Sequence, residues 1–160
     1  MSGAVLTGLA HTAVCVPDVD EAVRWYSEVL GMRVLSPPYL MEGPEIEFDV
    51  GELIPSPVVV KAAIVGFEGN DHVLEIIEYP AAPGRPVGRA VVDHGPSHVG
   101  LLCDDLGATR AQFEDRGVVF LTAGNAGVAG LRTCWFVDPN GVVFILMEKS
   151  KADRPYYHQY

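Results

Sequence analysis

Basic residues are scarce in this chain: 11 Lys and Arg stand against 21 Asp and Glu, a formal net charge of −10. So acidic a surface repels polyanions, and nucleic acid is not expected as a partner. Cysteine is nearly absent, at three residues. Cys15, Cys103 and Cys134 are odd in number and show no paired metal-binding spacing. That argues against a disulfide framework and for reduced, buried thiols in a cytoplasmic protein. No apolar run approaches membrane-spanning length, and the N-terminal stretch lacks the basic segment of a secretory signal. The Gly-rich stretch from Gly124 to Gly130 lacks the Lys-Ser/Thr ending of a phosphate cradle and is expected to be a mobile hairpin loop. No Ser–His–Asp or Cys–His arrangement can be argued from spacing, because such residues converge only in space.

What is present is a repeat. His11 in LAHTAVCVPDVDEAV and His98 in PSHVGLLCDDLGATR each open an apolar strand that runs into an acidic turn and then a helix. Laying His11 on His98 also pairs Val16 with Cys103, Asp18 with Asp105, Val19 with Leu106 and Tyr26 with Phe113. Duplicated units that keep their histidine point to two imidazoles at a pseudo-twofold axis, placed to share one ion. With 160 residues and 49% hydrophobic content, the chain suits one domain over 1–160. The expected parts are module one over about 8–80, a Pro/Gly-rich linker over 81–96, module two over about 97–150 and a tail over 151–160.

The first strand is read over Leu9–Val16, with His11, Ala13 and Cys15 on one face. Asp18 suits an N-cap, Glu21 completes a capping box, and the apolar stripe runs from Ala22 to Leu30 before Gly31 stops the helix. Strands follow around Arg33–Leu35, Val58–Val65 and His72–Tyr79. The Pro-rich segment 37–57 between them reads either as a loop or lid whose Phe48, Leu53 and Ile54 line a pocket, or as a solvated loop with a short edge strand. Module two repeats the order: strand Ser97–Cys103, a cap at Asp104 or Asp105, a helix to Gly117, and strands near Val118–Leu121, Arg132–Val137 and Val142–Glu148. Asp138-Pro139-Asn140-Gly141 is a hairpin turn, since Asn-Gly readily takes positive φ. The tail is expected to be flexible or docked on a partner. Trp25 and Trp135 are expected in core or interface.

The segments HTAVCVPDVDEAVRWYSEVLG, LEIIEYPAAPG, SHVGLLCDDL and FVDPNGVVFILME resemble the vicinal oxygen chelate superfamily, which includes glyoxalase I, methylmalonyl-CoA epimerase, extradiol dioxygenases and bleomycin-resistance proteins. The resemblance runs from His11 to Glu148. It implies an α+β fold of two tandem βαβββ modules forming a half-barrel cleft, with a divalent metal (Mn, Fe, Co, Ni or Zn) held by inward side chains. Carried over by position, the ligands are His11, Glu75 and His98. The fourth position falls on Ile145, and Glu148 reaches it only if a bulge turns the strand.

Two imidazoles and one carboxylate leave open positions for water and substrate. The resemblance then implies a glyoxalase-like isomerase, epimerase or lyase that stabilises an enolate or enediolate of a small oxygenated or acyl substrate, with Glu75 as ligand and base. A two-base mechanism requires Glu45, Glu47 or Glu148 to reach in. The alternatives are a metal-free, resistance-type ligand-binding protein, which Ile145 suits, and an extradiol-type dioxygenase, which needs Glu148. A small-molecule substrate, no membrane partner and a homodimer complete the expectations.

Overall fold

The computed structural model describes residues 6–86, 88 and 90–159. Positions 87, 89 and 160, within the expected linker and tail, lie outside the described residues. The chain divides into two compact units, Met1–Arg85 and Pro86–Tyr160.

The first unit is built from β1 (His11–Cys15), α1 (Val19–Glu28), β2 (Arg33–Glu42), α2 (Pro44–Val50), β3 (Val59–Gly66) and β4 (Val73–Glu78). Its sheet runs β1-β4-β3-β2, with β1 parallel to β4 and the other pairs antiparallel. Asp18 caps α1 by accepting from the Glu21 amide at 2.9 Å, and Gly31 takes φ +74 beyond the helix end. The stripe Val19, Ala22, Val23 and Tyr26 is buried, as are Val14, Val65, Leu74 and Ile76 on the strands. Each large side chain withdrawn from water in this way stabilises the unit by about 1.5–3 kcal/mol.

The second unit repeats the plan with β5 (Val99–Cys103), α3 (Leu106–Asp115), β6 (Val119–Phe120), β7 (Ala126–Val128), β8 (Leu131–Val137) and β9 (Val143–Lys149). The order β5-β9-β8-β6 matches the first sheet, and β7 adds a short pairing to β8. Asp105, not Asp104, is the cap of α3. The core stacks Phe136 on Phe144 at 5.0 Å between ring centroids, with Phe113 edge-on to Phe136. In the expected turn, Asp138 Oδ1 accepts from the Asn140 and Val142 amides and Gly141 takes φ +86. The α+β class and the two βαβββ modules therefore stand as expected. Among the described residues no helix is long and apolar enough to cross a membrane.

Two expectations are corrected and one is borne out in part. In segment 37–57 the edge-strand alternative stands in place of the lid, and the rest is not all loop: β2 continues at the sheet edge through Pro37 and Pro38 to Glu42, and α2 follows. The two prolines supply no N–H to the ladder, and the pairing of β2 with β3 shifts register between Ser36 and Tyr39. An edge strand tolerates that interruption. Met41, Ile46, Val50 and Ile54 pack on Val58, Val60 and Ala62, whereas Phe48 and Leu53 face solvent.

The stretch 124–130 does form a hairpin, as expected: β7 pairs antiparallel with β8, Val128 opposite Leu131, across Ala129 and Gly130 at positive φ, and Arg110 of α3 donates to the Thr122 carbonyl at 2.8 Å beside it. The described part of the tail is folded back. Gln159 is buried; its Oε1 accepts from the Lys151 amide at 2.7 Å and its Nε2 donates to the carbonyls of Lys151 and Pro155, both at 3.0 Å.

Candidate active site

The alternation of β1 sends Val14 into the core and leaves His11, Ala13 and Cys15 on the opposite, open face. On β4, Glu75 lies between the buried Leu74 and Ile76 and so shares that open face. The parallel register sets Ala13 beside Glu75 and His11 beside Val73. The outcome is a direct contact: His11 Nε2 stands 3.1 Å from Glu75 Oε2, with the carboxylate side chain 16% exposed and the imidazole 49%.

Further along this face Tyr79 is half-buried and Cys15 is exposed. Burial pushes the Tyr79 phenol above its ordinary range, and the negative charges of Cys15 and Glu75 push the same way. Shielding by neighbouring atoms, then Glu78, likewise raises the Cys15 thiol.

In the second unit the register places Ile145 where the first has Glu75. Ile145 pairs with Gly100 of β5 and Trp135 of β8, as Glu75 pairs with Ala13 of β1 and Ile64 of β3. His98 directly precedes β5. Its Nδ1 is 3.0 Å from Ser97 Oγ, and its ring meets Trp135 at 4.6 Å between centroids with 69° between planes. Where the first unit offers a carboxylate, the second offers an aromatic and an aliphatic side chain.

Glu148 does not turn to the open face. β9 pairs without a break from Phe144 to Glu148 against β5 and from Val143 to Lys149 against β8, so no bulge re-aims it. Its carboxylate accepts from the Leu106 amide at 2.6 Å and from Arg132 at 2.9 Å. Glu78 does the same for the Val19 amide at 2.9 Å. Both are helix-capping residues on the α-helical side of their sheets.

Glu47, weighed as a second base, is committed to the Val58 amide at 2.7 Å and the Ser56 hydroxyl at 3.0 Å. Glu45 is on α2 beside Leu40, Met41, Glu42 and Ile46. His72 bonds Thr12 Oγ1 at 3.2 Å. The sequence did not mark Ser97, whose only signal was a hydroxyl next to the repeated histidine.

Two donors at 3.1 Å fit a shared cation. Ligands about 2.1 Å from an ion and at right angles stand about 3.0 Å apart, and imidazole with carboxylate is a common donor set. Among the described residues, however, no group of three or more His, Cys, Asp or Glu side chains is gathered to hold one.

Residues 8–146 match the model of the glyoxalase/bleomycin resistance protein/dioxygenase superfamily. A glyoxalase family protein from Bacillus cereus is similar in structure at TM-score 0.80, with 16% identity over 94% of this chain and 99% of its own. The trypanothione-dependent glyoxalase I of Leishmania major is similar at TM-score 0.63, with 20% identity over 90% of this chain and 88% of its own. An antibiotic-binding protein of Streptomyces sp. CB03234 follows at TM-score 0.60, with 22% identity over 92% of this chain and all of its own. No curated protein sequence matches the chain.

Proposed function

The chain belongs to the glyoxalase/bleomycin resistance protein/dioxygenase superfamily, and on that premise we propose that it is a metal-dependent isomerase or lyase of the glyoxalase type. Its substrate is a small oxygenated or acyl compound with an acidic C–H beside a carbonyl. The observation that carries this is the 3.1 Å approach of His11 Nε2 to Glu75 Oε2 on the open face. His11 and Glu75 are the pair that would hold a divalent cation, and His98, the repeat partner of His11 in the second unit, is an imidazole of the kind that would ligate one. When bound, such an ion polarises a carbonyl oxygen and stabilises the enolate or enediolate formed by loss of the neighbouring proton.

Among the described residues Glu75 is the one last-strand carboxylate on an open face, so it is the base that takes the α-proton and returns it. Ile145 supplies no second base, and Glu47 and Glu148 are held elsewhere. Single-base chemistry follows, which favours isomerisation or elimination over two-base epimerisation. The dioxygenase alternative loses the carboxylate it needed, because Glu148 caps α3. The unpaired thiols of Cys15, Cys103 and Cys134 support a reducing, cytoplasmic setting, and the outer edges of β1 and β5 support a homodimer.

A second reading draws on the Trp135–Ile145 pair: a metal-free protein that sequesters its ligand on an apolar surface. Elemental analysis of protein purified without chelator separates the two, together with deuterium exchange at the α-carbon of small 2-oxo and acyl compounds. A transition metal near one per chain and exchange lost in Glu75→Gln support the enzyme. Metal-free protein that catalyses no exchange overturns it.

A further inference from the structure

The hydrogen bonds beside His98 select one of its two neutral forms. Ser97 Oγ donates to the Val91 carbonyl at 3.0 Å. A hydroxyl carries one hydrogen, and once that hydrogen is spent on Val91 the oxygen can only accept. The group 3.0 Å away on its other side is His98 Nδ1, which must then be the donor. A neutral imidazole has a single N–H, so Nε2 is left as a bare lone pair. Among the described residues that nitrogen makes no hydrogen bond. The Trp135 ring packs against the imidazole at 4.6 Å between centroids and 69° between planes.

His11 is set differently. The residue before it is Ala10, which has no hydroxyl, and its Nε2 faces a carboxylate. Two histidines at equivalent places in the repeat are thus prepared by different neighbours.

We infer that Ser97 is a positioning residue. The relay from the Val91 carbonyl through the Ser97 hydroxyl to His98 Nδ1 holds the imidazole as its Nδ1–H tautomer and presents Nε2 as an electron-pair donor to a divalent cation. The relay is independent of any ion. Its consequence for metal affinity rests on the function proposed above. Partners of this kind orient ligand imidazoles, and their loss typically weakens metal binding about 10–100-fold.

The test uses long-range ¹H–¹⁵N correlation spectra of metal-free, full-length protein at a pH where His98 is neutral, with the signals assigned through His98→Gln. Wild type is expected to show an unprotonated Nε2 and a protonated Nδ1. Ser97→Ala should move His98 toward the Nε2–H form that a free histidine side chain favours, and Ser97→Thr, which keeps the hydroxyl, should restore the wild-type pattern. Zn(II) affinity should fall about 10–100-fold in Ser97→Ala and hold in Ser97→Thr. A wild-type His98 already in the Nε2–H form, or a pattern unmoved in Ser97→Ala, overturns the relay. A tautomer that shifts as expected in a protein that never binds Zn(II) leaves the relay standing and counts against the metal-dependent function alone.

Discussion

The Glu148 carboxylate receives the Leu106 amide at 2.6 Å, which ties the last strand of its unit to the first turn of α3. Glu78 and Val19 make the same tie in the other unit. The repeat has therefore kept its helix-capping glutamates while its open-face positions diverged into Glu75 and Ile145.

Glu148→Ala strands the partly buried Leu106 amide and removes a charge that favours the helix N-terminus. The expected cost is about 1–3 kcal/mol, a fall in melting temperature of about 2–10 °C. The half-exposed Arg132 partner adds little. Thermal unfolding checks the cost, and metal binding should be unchanged.

Gly130 takes φ +76, and a Cβ there would lie 2.4 Å from the Gln159 carbonyl oxygen. Gly130→Ala should destabilise the chain by about 1–3 kcal/mol and free the tail for proteolysis. Gly127→Ala, with open space around it and no positive φ, is the control and should be nearly neutral. Limited trypsin digestion alongside melting curves reads both.

Burial raises the Cys134 thiol above its ordinary 9.0, with Arg110 partly opposing. The folded chain then holds this proton to higher pH than the unfolded chain does. The stabilisation is complete below about pH 9 and is lost as pH rises through the folded value. Cys15 and Cys103 act in the same direction. Urea midpoints measured from pH 7 to 10 should fall above pH 9, less steeply in Cys134→Ala. With one thiol exposed and one buried, iodoacetamide should reach Cys15 before Cys134.

The capped helices and the Asp138–Gly141 turn were legible because each depends on side chains a few residues apart. His11 and Glu75 were legible because a period of two fixes which face they take once the strands are placed. The course of β2 was not, since Pro37 and Pro38 mask the alternation of an edge strand whose residues are mostly exposed. Ile46, Val50 and Ile54 did carry a helical spacing, hidden by the prolines around them. The fold of the tail was invisible because the Gln159 cage is made of backbone groups, which leave no residue signature. Glu148 was ambiguous for want of one comparison: Glu78 stands three residues after Glu75 as Glu148 stands three after Ile145.

The most direct measurement is calorimetric titration of chelator-stripped protein with Mn(II) and Zn(II), run on wild type, His11→Ala, Glu75→Gln and Glu148→Gln. The account predicts one ion per chain in wild type and in Glu148→Gln, and binding lost or weakened at least about 100-fold in His11→Ala and Glu75→Gln. Equal binding by all four proteins, or none by wild type, would contradict it.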